Sequence, residues 1–170
     1  MTNLLRMTLA ASVAALTLTS APAAAAPTSS NNGPATARAR IVKPLTLTRV
    51  THMDFGDIVV QDAGTATLAM GGALSCTGGL TCAATGTAAS YLVTGTNNQV
   101  VTVAAPDVSL TNAANPGTPL TLDLNAPTTV TLPNSGASGQ NFSVGGSIAV
   151  AATTRDGVYT GDLAVTVDYQ

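Results

Sequence analysis

The most regular hydrophobic pattern in this chain lies in its last fourteen residues, Gly157–Gln170. Successive side chains of a strand point to opposite faces, so this alternation predicts a strand with one apolar and one polar face. At a sheet edge, such a strand would expose unpaired backbone groups beside an apolar stripe, which favours pairing with another chain. The pattern therefore indicates assembly rather than catalysis. The apolar positions are Tyr159, Leu163, Val165, Val167 and Tyr169.

The rest of the chain alternates short β-prone runs with Gly, Pro and Asn. The run Ala35–Leu47 keeps one alternating register with a break at Pro44, which lacks an N–H. No segment after residue 26 shows a helical apolar period. Strands at this spacing predict an all-β, antiparallel, immunoglobulin-like sandwich, with a closed barrel as the alternative. Further strands are predicted at Met53–Val60, Thr65–Met70, Ala88–Gly95, Val100–Ala105, Leu120–Leu124, Thr128–Leu132, Asn141–Ala151 and Val158–Tyr169.

Two glycine-containing dipeptides refine this prediction. Asp156-Gly157 between two alternating runs predicts a hairpin that pairs Asn141–Ala151 with Val158–Tyr169. Gly145-Gly146, inside the first of these runs, predicts a bulge or a close approach of backbones.

The N-terminus has the features of a signal peptide. Arg6 precedes an apolar run, Met7–Leu18, and Ala23-x-Ala25 predicts cleavage before Ala26. A membrane anchor would need about 20 apolar residues. We expect residues 1–25 to be removed on export to the periplasm, cell surface or medium, with no membrane span remaining. Residues 26–34 would form a flexible N-terminus, and residues 35–170 a single domain.

The charge of the predicted mature chain limits the partners it could bind, and its two cysteines predict a disulfide. Residues 26–170 carry five Lys or Arg against eight Asp and no Glu, a net charge of −3, which argues against nucleic acid or an anionic membrane as partner. Cys76 and Cys82 bracket a Gly78-Gly79 turn, which predicts a structural disulfide in an exported protein. A redox-active pair is the alternative, but such pairs usually have two intervening residues.

Residues for catalysis or metal binding are scarce. His52 is the only histidine, so a catalytic triad or an acid–base pair would have to be built around it. A zinc site would need Cys76 and Cys82, which the disulfide already explains. Asp54 and Asp57 lack the further ligands of a calcium site. We predict no enzyme, no cofactor and no metal.

Six short stretches resemble a family of exported bacterial proteins known as a domain of unknown function, number forty-four-oh-two. They occur in order along nearly the whole predicted mature chain. The family label itself implies no activity. The stretches are Ile41–Leu45, Asp54–Ile58, Tyr91–Gly95, Phe142–Gly146, Gly157–Gly161 and Val165–Tyr169.

The C-terminus also resembles that of chaperone–usher pilus subunits, with a penultimate tyrosine, Tyr169, and a glycine, Gly157, fourteen residues from the end. The resemblance implies an immunoglobulin-like fold that lacks its final strand. A chaperone strand, and then the N-terminal extension of the next subunit, would fill the resulting groove, with an usher guiding self-assembly. The apolar stripe and Gly157 would form the partner-binding face.

Two features depart from the pilus pattern. The disulfide would close a local loop rather than join the first two strands. Ala26–Pro34 has no large apolar residues, so Ala35–Ile41 would have to act as the donor strand.

From the C-terminal strand we predict a structural surface or pilus-like subunit assembled by β-strand complementation. The alternative is a self-contained sandwich that binds a glycan or a protein.

Overall fold

A computed structural model describes residues 35–82, 86–133 and 138–170. The predicted signal peptide and flexible N-terminus lie outside these residues. Internal contacts divide the chain into residues 1–39 and Arg40–Gln170. In the first unit, residues 35–39 form no strand. The described part of the second unit contains β1 (Thr46–Thr51), β2 (Ile58–Leu68), β3 (Leu74–Cys82), β4 (Ala89–Thr94), β5 (Val100–Ala104), β6 (Val108–Asn112), β7 (Leu120–Asn125), β8 (Thr129–Thr131), β9 (Gln140–Val150), β10 (Tyr159–Thr160) and β11 (Thr166–Tyr169).

The second unit is an antiparallel β-sandwich, which confirms the predicted fold class. One sheet has the order β1-β4-β9-β7-β6-β10, with the β2–β3 hairpin joined to it through β9. The second sheet has the order β11-β5-β8. Strand β9 is central, because it pairs with β4 through its first half and with β2 and β7 through its second half. At Gly145, a side chain would collide with the backbone oxygen of Leu68, so the predicted close approach is confirmed.

One predicted strand pairing and one predicted strand extent are wrong. The C-terminal segment does not pair with β9, whose edges are taken by β2, β4 and β7; the turn at Asp156-Gly157 leads instead to β10, which pairs with β6. The predicted first strand over 35–47 is also shorter, because β1 begins at Thr46. The residues of a turn determine where the chain reverses direction, but contacts between distant strands determine which strand the following segment pairs with.

The first core fills the space between β1-β4-β9 and β11-β5-β8. Tyr91 and Phe142, on neighbouring strands, stack with ring centroids 5.6 Å apart. Leu45, Leu47, Val165 and Val167 pack against this core from its margin. Both of its faces are covered by strands. Its buried members are Ala89, Tyr91, Val93, Val101, Val130, Leu132, Phe142 and Val144.

The second core lies on the inner face of β6, β7, β9 and β2. Strand register places Val108, Leu122, Ile148 and Ala66 in one row across these four strands. Leu122 is only 2% exposed and Ala66 is fully buried. Here the covering layer consists of the folded end of the β2–β3 hairpin and of partly buried side chains such as Tyr159 and Leu163.

The β2–β3 hairpin folds back on itself, and the predicted disulfide between Cys76 and Cys82 is present at the fold. Six residues of extended strand span about 20 Å, yet the two Cα atoms are only 5.8 Å apart. The register shifts between Val60 and Gly64, where the hairpin bends. Gly78 there has φ of 71°, a conformation that glycine adopts without strain. The far end of the hairpin therefore lies over the second core, where Leu80 is buried.

Candidate strand-binding groove

The C-terminal segment runs along β6 and then along β5. Thr160 faces Thr111 and Thr166 faces Ala104, so an advance of six positions along the C-terminal segment is matched by seven positions between β6 and β5. This register change falls beside Pro106, which has no N–H to donate to a ladder. The predicted strand Val158–Tyr169 is therefore two short strands, β10 and β11, joined by residues 161–165 without assigned strand structure.

The predicted two-faced character of this segment is confirmed. Tyr159, Leu163, Val165, Val167 and Tyr169 are half-buried, while every even-numbered residue from 160 to 170 is exposed. None of the five reaches the burial of core residues such as Val93 or Val101, which are fully buried. The apolar stripe is thus only partly buried.

A groove lies between this segment and the stretch that joins β1 to β2. Its larger cavity, of about 850 Å³, is bounded by residues 52–58 on one wall and by residues 154–161 on the other. A smaller adjoining cavity, of about 130 Å³, continues it towards β1. Both cavities are lined by His52, Met53, Gly161 and Leu163, so they adjoin at these residues, and we call them together the groove.

The floor of the groove is the second core. Leu110, Leu122, Ile148 and Val150 form it. Charged side chains stand at the rim, among them Asp54, Asp57, Asp156 and Arg155 in the larger cavity. Arg49 and Asp162 face the smaller one. The groove is therefore apolar at its base and mostly acidic at its edge.

Strand edges flank the groove. β1 lies at one end of its sheet and pairs only with β4 among the described strands. β10 also lies at the end of its sheet, and within the described residues it pairs on one side only, with β6. Unpaired backbone groups and an apolar floor are the two components of a site that accepts an added strand.

The predicted partner-binding residues divide between the groove and the body of the domain. Gly157, Tyr159 and Leu163 line the larger cavity. Val165, Val167 and Tyr169 line neither cavity and pack against the first core. On the opposite wall, Met53, Phe55 and Ile58 were not predicted as site residues. In the sequence, Met53 and Phe55 lie two positions apart within the predicted strand Met53–Val60. No local pattern indicates that this stretch lies opposite the C-terminal segment.

Tyr169 joins the end of the C-terminal segment to two other parts of the chain. Its hydroxyl donates a hydrogen bond to the Lys43 carbonyl at 2.7 Å and accepts one from the Thr96 N–H at 2.7 Å. Arg40 donates to the Gln170 carbonyl at 3.1 Å and also contacts Gln99. The hydroxyl of the penultimate tyrosine is thus already hydrogen-bonded within the chain.

We expect Tyr169→Phe to lower the free energy of unfolding by about 1–2 kcal/mol, because two hydrogen bonds are lost and the Thr96 N–H loses its partner. Urea denaturation monitored by circular dichroism measures this change. Tyr159→Phe is the matched control, since among the described residues the Tyr159 hydroxyl donates a single hydrogen bond, to the exposed Arg155 carbonyl at 3.0 Å. A smaller loss at Tyr169 than at Tyr159 would contradict the assignment.

Gly157 has a conformational role at the entrance to β10. Its φ is 134°, and an added Cβ would lie 2.5 Å from Nδ2 of Asn112. Asn112 is the buried polar residue that donates to the Asp156 carbonyl at 3.0 Å and accepts from the Ala114 N–H at 3.0 Å. The side chain of Asn112 therefore fixes the turn that sets one wall of the groove.

Gly157→Ala should lower the free energy of unfolding by about 1–3 kcal/mol, through backbone strain and the clash with Asn112. Thermal unfolding would show the loss. Gly117→Ala serves as control, because nothing lies within 4 Å of its added Cβ. Equal melting temperatures for the two variants would exclude this role for Gly157.

Other chemistry in the described residues is limited. No cluster of three or more His, Cys, Asp or Glu side chains there could hold a metal ion. Burial raises the pKa of the Tyr91 hydroxyl, and the positive charge of Arg49 opposes this rise.

No helix within the described ranges is long and apolar enough to span a membrane.

Comparison with known proteins identifies one family. Searches of curated proteins and of solved structures give no significant match. The model of the family described as domain of unknown function (DUF4402) matches residues 45–169, which include all eleven strands described above and both walls of the groove. The chain therefore belongs to the DUF4402 family.

Proposed function

We propose that the protein is a structural surface subunit, of a pilus-like kind, that assembles by β-strand complementation. The groove would accept an extended segment from another chain. The observation that supports this most is the pair of half-buried side chains Tyr159 and Leu163, which border a cavity of about 850 Å³ with an apolar floor beside unpaired strand edges. An added strand would supply backbone hydrogen bonds to these edges and alternate side chains to the floor.

The proposed occupant is the N-terminal segment Ala35–Ile41 of a second copy. This segment alternates small or apolar residues with Thr36, Arg38 and Arg40. Ile41 is 92% exposed, the largest exposed fraction among the big apolar side chains of the described residues. Burying one such side chain contributes about 1.5–3 kcal/mol. The segment therefore offers an apolar anchor that its own domain leaves in solvent.

Charge favours the same occupant. Residues 26–53 carry four basic side chains and no acidic one, whereas residues 54–170 carry eight Asp and only Arg155. Asp54, Asp57 and Asp156 stand at the groove rim. A basic donor segment meeting an acidic rim would speed encounter and select its own partner.

The proposed donor segment, Ala35–Ile41, has seven residues and spans roughly 23 Å when extended. Before assembly, a strand from a periplasmic chaperone would occupy the same groove. At an usher, the donor segment of the next subunit would then replace that strand.

Sedimentation velocity of the chain purified from the periplasm tests this proposal. We expect concentration-dependent oligomers, and we expect Ile41→Ser to weaken association about 10–100-fold, the equivalent of about 1.4–2.8 kcal/mol. Val42→Ser is the matched control, since Val42 is the adjacent residue on the opposite face of the segment and is 40% exposed.

A monodisperse monomer at every concentration, with cooperative unfolding, would contradict assembly and favour the self-contained sandwich. Equal weakening by Ile41→Ser and Val42→Ser would contradict this donor register.

A further inference from the structure

One wall of the groove is the folded end of the β2–β3 hairpin. We name as the flap the paired stretches Ile58–Val60 and Leu80–Cys82. Ile58 and Val60 line the larger cavity. On the other stretch, Leu80 is 7% exposed and packs into the second core. The flap is thus both a wall of the groove and a cover for its floor.

Few backbone contacts hold the flap in place. In the described chain, β2 pairs with β9 only through Gly64–Leu68, so Ile58–Val60 pairs with β3 alone. The bend lies between Val60 and Gly64, where the ladder is interrupted. Gly78 provides the positive φ on the opposite strand.

The disulfide crosses this bend. Cys76 lies opposite Ala66, on the part of the hairpin that belongs to the main sheet, and Cys82 lies opposite Ile58, on the flap. The bond therefore joins the flap covalently to the sheet that forms the groove floor. Both cysteines also pack against the second core.

We propose that the Cys76–Cys82 disulfide controls strand binding: the oxidised chain has a complete groove, and reduction releases the flap and removes one wall. This inference rests on the proposed function. In the reduction, a thiolate of a dithiol attacks one sulfur and the S–S bond breaks. The second thiol of the reagent then releases the protein from the mixed disulfide. The reagent becomes a cyclic disulfide, and the protein gains two electrons and two protons as two cysteine thiols.

Fluorescence anisotropy tests the proposal on the full periplasmic chain carrying Ile41→Ser, which keeps its own donor segment out of the groove. The probe is a labelled peptide with the sequence of residues 33–44. The oxidised chain should bind this peptide, and dithiothreitol or the double change Cys76→Ser and Cys82→Ser should weaken binding at least tenfold. Hydrogen exchange of the flap amides should accelerate at least tenfold at the same time, while β4 and β9 keep their protection.

Leu80→Ala gives a second variant that keeps the disulfide but removes the apolar anchor of the flap, and it should also weaken binding at least tenfold. Thr81→Ala, the exposed neighbour, is its control. Equal peptide affinity in the oxidised and reduced chains would overturn the proposal and leave strand binding intact. Binding in neither state would instead contradict the proposed function. Flap amides whose exchange does not change on reduction would overturn the flap mechanism in either case.

Discussion

Leu163→Asp is expected to abolish assembly of otherwise folded chains, with a loss of affinity of about 30–1,000-fold, equivalent to about 2–4 kcal/mol. Leu163 lines both cavities of the groove and packs against both cores. A carboxylate at this position would have to lose water when a strand covered it, which costs free energy. Sedimentation velocity and titration with the labelled donor peptide both measure the loss.

Val167→Asp is the control for the general cost of a charge on the apolar stripe. Val167 is half-buried on the same face of the segment, but it lines neither cavity. Both substitutions should lower the free energy of unfolding to a similar degree. Only Leu163→Asp should abolish assembly. If both variants lose assembly equally, the apolar stripe contributes to assembly by stabilising the fold and not by forming a binding groove.

Leu122→Ala should lower the free energy of unfolding by about 2–5 kcal/mol. Leu122 is 2% exposed, and register places it beside Val108 on one neighbouring strand and beside Ile148 on the other. Removing its side chain leaves a void in a floor that already has a groove above it. Since small domains are stable by about 5–15 kcal/mol, the variant would be near the threshold of folding.

Guanidinium denaturation gives the free energy of unfolding for this comparison. Thr121→Ala, on the exposed face of the same strand, should change it by less than about 0.5 kcal/mol. Addition of the donor peptide should restore part of the stability lost in Leu122→Ala, because a ligand that binds only the folded chain stabilises it. A small effect at Leu122 would mean that the second core contributes little to folding.

Periodicity predicted much of the fold, because each strand face is encoded by residues two positions apart. The positions of β4, β5, β7, β8 and β9 agree with the predicted strands to within one or two residues. The half-buried stripe of the C-terminal segment also follows the alternation. The disulfide was predictable from two cysteines flanking a glycine turn.

The missed features depend on contacts far apart in sequence. β3 contains Gly78-Gly79, which has the composition of a turn, yet pairing with β2 draws it into a ladder. β6 is short and follows Pro106, so its pattern has too few positions to stand out. The groove needs residues 52–58 opposite residues 154–161, a juxtaposition that no local pattern contains.

The glycine and tyrosine landmarks at the C-terminus have a structural cause as well. Gly157 satisfies a positive φ beside Asn112, and Tyr169 joins Lys43 to Thr96. The sequence pattern therefore identified residues that shape and anchor the last strand. The residues that face the groove were identified only in part.

Hydrogen exchange with mass spectrometry, comparing assembled wild-type chains with monomeric Leu163→Asp chains, tests the central claim most directly. If the groove accepts a strand from another copy, amides within residues 157–165 and within Ala35–Ile41 should exchange at least tenfold more slowly in the assembly. The part of β3 outside the flap, Leu74–Thr77, should exchange equally in both. Protection there without any change in residues 157–165 would contradict the account.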